Sequence, residues 1–379
     1  MNVLFISHDT GLYGATNSML DMVIELKKIN VTPYIILPFR GILEKELKSN
    51  NIQYAIIPFS ICIRKIGCND FIGEISDEIS NITAIKKIKE YIYKWGIDII
   101  HSNIAEMNIG AIAARLTNKP HIWHLREFLE EDHGREFRNK YMMRYLINHA
   151  DCTIAISNVI KNKYKKLYKK ANIIKVWNGI NINKYAINKK KYFSNEAFKL
   201  IICGAVAENK GQIDAIKAVE ILVRKGINIK LYIAGDGGGT YVRYLKEYIK
   251  AKELEEYIVF CGFKSDLYDL RKDADIALVC SKSEAFGRVT IEAMLAENLV
   301  IGANTAGTYE LIGDNNYGYL YKQGNAIHLS KVIQQSLENK DLSIEKLKKA
   351  KSFALKNFSS SQYAKSIKKI YENVIKNDM

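Results

Sequence analysis

Short apolar runs separated by longer amphipathic stretches give this chain its rhythm. VLFIS (3–7), PYIILP (33–38), YAIIPF (54–59), DIIHS (98–102), HIWHL (121–125), CTIAIS (152–157) and IIKVW (173–177) read as buried strands. Helical periodicity fills most of the gaps, as at 17–28 and 108–116. A polar, lysine-rich segment without apolar period, NGININKYAINKKKYFSNEAF, then interrupts the pattern. It restarts with KLIICGAV (199–206), IKLYIAG (229–235), IVFCGF (258–263), IALVCS (276–281) and LVIGAN (299–304). Alternating strands and helices predict parallel sheets wound on both faces, hence two Rossmann-like α/β domains with a cleft between them. The expected boundaries are a first domain over 1–182, a linker over 183–198, a second domain over 199–360 and a final amphipathic helix over 361–379.

Composition adds limits. A chain of 379 residues that is 48% hydrophobic can fill two ordinary cores. Its six cysteines are scattered and form no C-x-x-C pair, which argues for a reducing compartment and against a zinc site or disulfide framework. The chain opens directly as a strand, and no apolar run nears the roughly 20 residues of a membrane span, so a cytoplasmic protein is expected. A net charge of +15 favours acidic partners, although an AT-rich coding sequence would also enrich lysine. Asn158 to Lys170 carries six lysines around a helical apolar side. It reads either as a helix packed on its own domain or as a face for anionic headgroups at the inner face of the cell membrane. No interleaved aromatic and basic motif supports nucleic acid.

The candidate chemistry centres on SKSEAFGRVTIEAMLAE, Ser281 to Glu297, which sets two glutamates eight positions apart. Phe286 and Gly287 read as the end of a loop. Val289 onward reads as a helix with Ile291, Met294 and Leu295 inward. Glu284 then belongs to the loop and Glu292 to the helix, with backbone N–H groups between them at a helix start that suits an anion. A ligand with hydroxyls at both ends and a diphosphate between, such as a sugar nucleotide, fits that spacing. Lys210, just before Gly211, can offset diphosphate charge. The glycines of IAGDGGGT (233–240) read as a plain strand-to-helix turn, because the dinucleotide fingerprint is incomplete.

Together, GLYGAT, HIWHLRE, VWNGI, GAVAENKGQ, IAGDG, FCGF, ADIALVCSKSEAFGRVTIEAM and NTAGTYELIG resemble a family-4 retaining glycosyltransferase of the GT-B fold, of the bacterial surface-polysaccharide type, over about 11 to 313. The resemblance implies that Glu292 holds ribose hydroxyls and Glu284 the transferred sugar. It implies that the amides of Phe286, Gly287, Arg288 and Val289 cap the diphosphate, with Lys210 as its cation and Gly14 approaching from the other domain. His124 corresponds to the family's histidine near the donor sugar, and Gly262 and Phe263 to the loop near the base. The last helix would cross back to the first domain. One departure stands out: the usual arginine after the strand-end glycine is Ala205, so Arg288 is considered as a substitute or as a solvated first-turn residue.

Arg126, Glu127 and His101 are candidates for the acceptor side, with structural readings open for each: an ion pair for Arg126 and Glu127, core positions for His101 and His124. Asn178-Gly179 reads as a hinge turn. No acidic metal motif stands at a strand end, so the expectation is a metal-independent transfer without cofactor. The donor would be a UDP-sugar ahead of a GDP-sugar, the sugar a hexose or N-acetylhexosamine, and the acceptor a glycan or lipid-linked saccharide. A nucleotide-sugar epimerase and a non-catalytic nucleotide-sugar-binding protein are the alternatives.

Overall fold

A computed structural model describes residues 1–68, 70–264 and 266–378, with the side chains of 132, 133, 377 and 378 outside that description. The last position of the expected final helix, 379, also lies outside it. The chain divides into two compact units, Met1–Ile180 with Ser360–Met379, and Asn181–Ser359.

The first unit contains β1 (Asn2–Ile6), β2 (Thr32–Leu37), β3 (Gln53–Ile56), β4 (Ile63–Lys65), β5 (Ile99–Ser102), β6 (His121–Leu125), β7 (Arg135–Phe137), β8 (Cys152–Ala155) and β9 (Ile173–Lys175). Seven of them form a parallel sheet in the order β3-β2-β1-β5-β6-β8-β9. The near-continuous apolar runs are explained by helices on both faces of that sheet. One face buries Val3, Phe5, Met19, Val23 and Ile35. The other buries Leu4, Ile6, Ile88, Ile100 and Ile109. The final helix, Ser360–Asp378, supplies Tyr363, Ile367 and Tyr371 to the first of these cores. It therefore returns to the first unit, as the resemblance implied.

The second unit contains β10 (Phe198–Cys203), β11 (Ile229–Ala234), β12 (Ile258–Gly262), β13 (Ile276–Val279), β14 (Leu299–Ala303) and β15 (Tyr319–Tyr321), parallel in the order β12-β11-β10-β13-β14-β15. The segment expected as a linker is packed on this unit. The Ile187 amide donates to Leu295 O at 3.1 Å, and Phe193 is buried in the core beside Leu200 and Ile229. The strands without a signal in the apolar pattern are β4, β7 and β15. Each has three residues, too few for a period, and β4 with β7 forms an antiparallel ribbon outside the main sheet. All six cysteines are free thiols.

Candidate functional site

In the second unit, three strand ends and their glycines shape the site. Gly211, at φ +68°, crosses so close to the end of β13 that an added Cβ would lie 2.2 Å from Cys280 O. Only a glycine permits both that backbone and that approach. The crossing sets Lys210 beside the loop that follows β13, where the Lys282 amide donates to Asn209 O at 2.8 Å. There Lys210 Nζ lies 3.0 Å from Glu284 Oε2, in a pair that is only partly covered.

The same loop is held from behind by Gly307, whose amide donates to Glu284 O at 2.8 Å. A Cβ there would stand 2.6 Å from Glu284 O and 3.1 Å from the Phe286 amide nitrogen. Phe286 is buried against Phe358, and Gly287 (φ +91°) turns the chain into the Arg288–Leu295 helix. Ile291, Met294 and Leu295 face the core as predicted, and Val289 is half-buried. The Thr290 and Ile291 amides of this helix donate back to Gly287 O at 3.0 and 3.3 Å, and the helix start carries positive dipole charge. Gly307→Ala should push this loop aside without emptying any core. We expect a turnover loss of about 10²-fold, the scale of a roughly 1 Å misplacement, and a lowered melting temperature, because the clash is with backbone atoms and overpacking costs about 1–3 kcal/mol. Steady-state kinetics beside a thermal melt checks it.

Glu292 occupies the next turn and is not a free surface glutamate. Its Oε2 accepts from Arg271 Nη2 at 2.5 Å, and Arg288 Nε lies 3.8 Å from its Oε1. Arg271 is almost wholly buried, with its guanidinium 5.4 Å from the Tyr185 ring. Burial works against its charge, and the neighbouring Glu292 carboxylate and Cys203 together outweigh that and raise its pKa. Arg288 is largely covered too, so the solvated first-turn reading does not describe it; its guanidinium leans toward Glu292. Arg271 carries no signal of its role in the sequence. It stands in an unremarkable charged stretch, YDLRKD, and nothing in the spacing separates it from its neighbours. Gly262 (φ +65°) and Phe263, 70% exposed, sit together at the end of β12. In the 233–240 turn, a Cβ on Gly235 would meet Gly204 O at 1.8 Å, so that glycine serves chain packing.

The first unit gathers a different set. Arg126 is buried at the end of β6, with Nε 3.0 Å from both Asn103 O and Asn103 Oδ1, and Nη1 2.6 Å from Asn178 Oδ1. Its Nη2 reaches His124 Nδ1 and Tyr363 Oη, both at 3.3 Å. Arginine can only donate, so His124 Nδ1 accepts and its proton sits on Nε2. His101 Nε2, 3.1 Å from the same Nδ1, must then donate, and His101 Nδ1 accepts from the Tyr371 hydroxyl at 2.6 Å. Both rings are therefore neutral and fully buried. Glu127 Oε1 accepts from the Ala105 amide at 3.0 Å. Asn178 is an Arg126 ligand as well as a turn residue, and a Cβ on Gly179 would lie 2.6 Å from Ser360 Cα. Gly14 opens the Gly14–Lys28 helix, and a Cβ added there would have nothing within 4 Å. Asn103, Tyr363 and Tyr371 are not legible in the sequence, since their partners are distant along the chain.

These histidines give the protein a pH dependence. Burial, reinforced by the Arg126 charge, holds His101 and His124 well below the usual imidazole value. Burial also lowers His8 to about 4 and His121 to about 3. The unfolded chain takes up these protons near pH 6.5 and the folded chain does not. Stability is thus full above about pH 6.5 and falls as pH drops toward 4, with each group contributing up to ~1.4 kcal/mol per pH unit. Thermal melts between pH 7.5 and 5 should show this fall, and His101→Gln should make the slope shallower. An equal slope in the variant removes His101 from the account.

Known proteins agree with this architecture. The family described as Glycosyltransferase Family 4 matches residues 14–184, and the one described as Glycosyl transferases group 1 matches residues 184–373. An uncharacterized glycosyltransferase of Methanocaldococcus jannaschii is 28% identical over 304 residues, 77% of this chain and 80% of that protein. The capsular polysaccharide biosynthesis glycosyltransferase CapM of Staphylococcus aureus is 26% identical over 249 residues, 62% of this chain and 65% of its own. Among solved structures, HepE of Anabaena in complex with UDP superposes with a TM-score of 0.83 at 21% identity, covering 98% of this chain and 100% of that one. Two parallel-sheet units and the span of both family matches lead to one assignment: the chain belongs to the family-4 glycosyltransferases, group 1, of the GT-B fold.

Proposed function

We propose that this glycosyltransferase moves a hexose-type sugar from a UDP-sugar to a glycan or lipid-linked acceptor, with retention of anomeric configuration and without a divalent metal. The observation that carries the reading is the Lys210–Glu284 pair, 3.0 Å apart, set against the start of the helix that holds Glu292. HepE crystallises with UDP and with UDP-glucose, and CapM is a capsular polysaccharide enzyme, which supports a uridine donor and a surface-polysaccharide setting.

Glu292, fixed by Arg271, accepts from the ribose hydroxyls. The amides of Phe286 to Val289 face the diphosphate, and Phe263 offers an exposed ring to the base. Lys210 is shared between Glu284 and the phosphate, where negative charge grows as the sugar acquires oxocarbenium character. Glu284 orients the sugar hydroxyls. The departing phosphate oxygen takes the proton of the attacking acceptor hydroxyl, so that the new bond forms on the face the leaving group vacates. His124 has no exposed surface, so we assign it a positioning role through Arg126 in place of direct contact. The experiment is donor turnover with UDP-sugars, assayed with and without excess EDTA. Slow donor hydrolysis that EDTA leaves unchanged is expected. Activity abolished by EDTA and restored by a divalent cation overturns the phosphate-site account, and epimer formation overturns the transferase reading.

A further inference from the structure

The second unit begins at Asn181, and its first element is the one-turn helix Ile182–Tyr185. One turn is too short to stand on its own backbone bonds, and none of its four residues is buried. Side-chain contacts with the rest of the unit must therefore fix it. Ile187, just beyond the turn, supplies one anchor, because it is buried and its amide donates to Leu295 O. Tyr185 supplies another. Its ring centroid lies 5.4 Å from the Arg271 guanidinium, within reach of a cation–π contact. The exposed Lys184 reaches the same ring at 5.5 Å.

Tyr185 thereby joins the group around Glu292. That carboxylate faces two guanidinium groups, with Arg271 Nη2 at 2.5 Å and Arg288 Nε at 3.8 Å, and all three side chains are largely covered. Arg288 and the Tyr185 hydroxyl share a hydrogen bond. Arginine can only donate, so the phenol oxygen accepts. Burial first, and then the Glu292 carboxylate, hold the Tyr185 hydroxyl above the ordinary phenol value, while Arg288 and Arg271 act the other way. It is a neutral phenol at neutral pH. One side chain thus touches both cationic neighbours of Glu292, Arg271 with its ring and Arg288 with its oxygen. The consequence is positional. Arginine loses much rotamer freedom when it is fixed, and two fixed guanidinium groups about one carboxylate set the direction of its lone pairs. A hydrogen bond weakens steeply once that direction is lost.

We propose that Tyr185 is a positioning residue of the donor site, seating Arg271 against its ring and Arg288 on its hydroxyl so that Glu292 is held toward the ribose hydroxyls of the nucleotide. This rests on the ribose reading of Glu292. The probes are UDP and 2′,3′-dideoxy-UDP, titrated against the full chain and its Tyr185→Phe, Tyr185→Leu and Glu292→Gln variants, with melts to establish folding. The parent should favour UDP by about tenfold or more, because the dideoxy nucleotide leaves a covered acceptor unpaired. Tyr185→Phe keeps the ring and loses the hydroxyl, and should cut that preference about threefold. Tyr185→Leu loses both and should bring it near the Glu292→Gln value; Tyr185→Phe serves alone if the leucine variant misfolds. In a Glu292→Gln background, Tyr185→Phe should change UDP affinity little, since residues that act through one another are not additive. A purely structural Tyr185 would lower affinity for both nucleotides alike and leave their ratio at the parental value. That result, or full additivity with Glu292→Gln, overturns the proposal while the ribose reading stands. A parent that fails to bind UDP, or binds both nucleotides equally, overturns the ribose reading and the proposal with it.

Discussion

Lys210→Ala should lower turnover by about 10²-fold or more while leaving the fold intact. The two effects separate because the pair has different worth in the two roles. As a partly exposed ion pair with Glu284, Lys210 contributes at most about 1 kcal/mol to stability. In the role proposed for it, as the cation beside a departing diphosphate, it would meet charge that develops only in the transition state, and losing one such stabiliser costs about 10²–10³ in rate. Ala205 sharpens the expectation, because the family's arginine at that position is missing and leaves fewer cations to share the task. The Arg288 guanidinium leans toward Glu292, on the ribose side of the proposed site. Arg288→Ala should therefore weaken nucleotide binding more than it slows the chemical step. Single-turnover rates beside UDP titrations and melts decide this. A Lys210 variant with near-parental turnover removes Lys210 from the diphosphate site, and an Arg288 variant as slow as the Lys210 one restores the compensation idea.

Arg271→Met should be the more damaging change to stability. It leaves Glu292 largely buried beside a partner 3.8 Å away instead of 2.5 Å. Removing one member of a buried pair costs about 3–5 kcal/mol, because the remaining charge loses compensation but not its desolvation. Arg288 nearby favours the lower end, about 3 kcal/mol, or roughly 6–12 °C in the melting temperature of a unit this size. Arg271→Met combined with Glu292→Met should recover much of that loss, since both charges are then gone, yet UDP affinity should stay low because the proposed ribose acceptor is gone with them. Glu292→Gln should likewise weaken nucleotide binding more than it alters sugar preference. If Arg271→Met melts like the parent, Arg271 is not the counterion of Glu292. If it binds UDP as tightly as the parent, the ribose reading fails at the same residue.

What was legible in the sequence was what local order encodes. Apolar runs of strand length, helical periods between them and the break before β10 were enough for two parallel α/β units, because each strand buries both faces and each helix one. The ordered motifs placed Glu284, Gly287 and Glu292 about one helix start, since all three lie within a single loop-helix segment. Chain-distant contacts were not legible. Whether Arg271 lies under Glu292, whether Gly307 braces the Glu284 loop, and whether Tyr363 and Tyr371 close over His124 and His101 depends on how strands and helices stack, and no spacing records it. The same reason explains the Phe71–Lys94 helix of the first unit: its two apolar sides look alike in sequence. Only packing shows that Ile85, Ile88 and Ile92 meet a core while Ile72, Ile75 and Ile79 meet none. Sequence periodicity sets which residues share a face, and tertiary structure decides what that face touches.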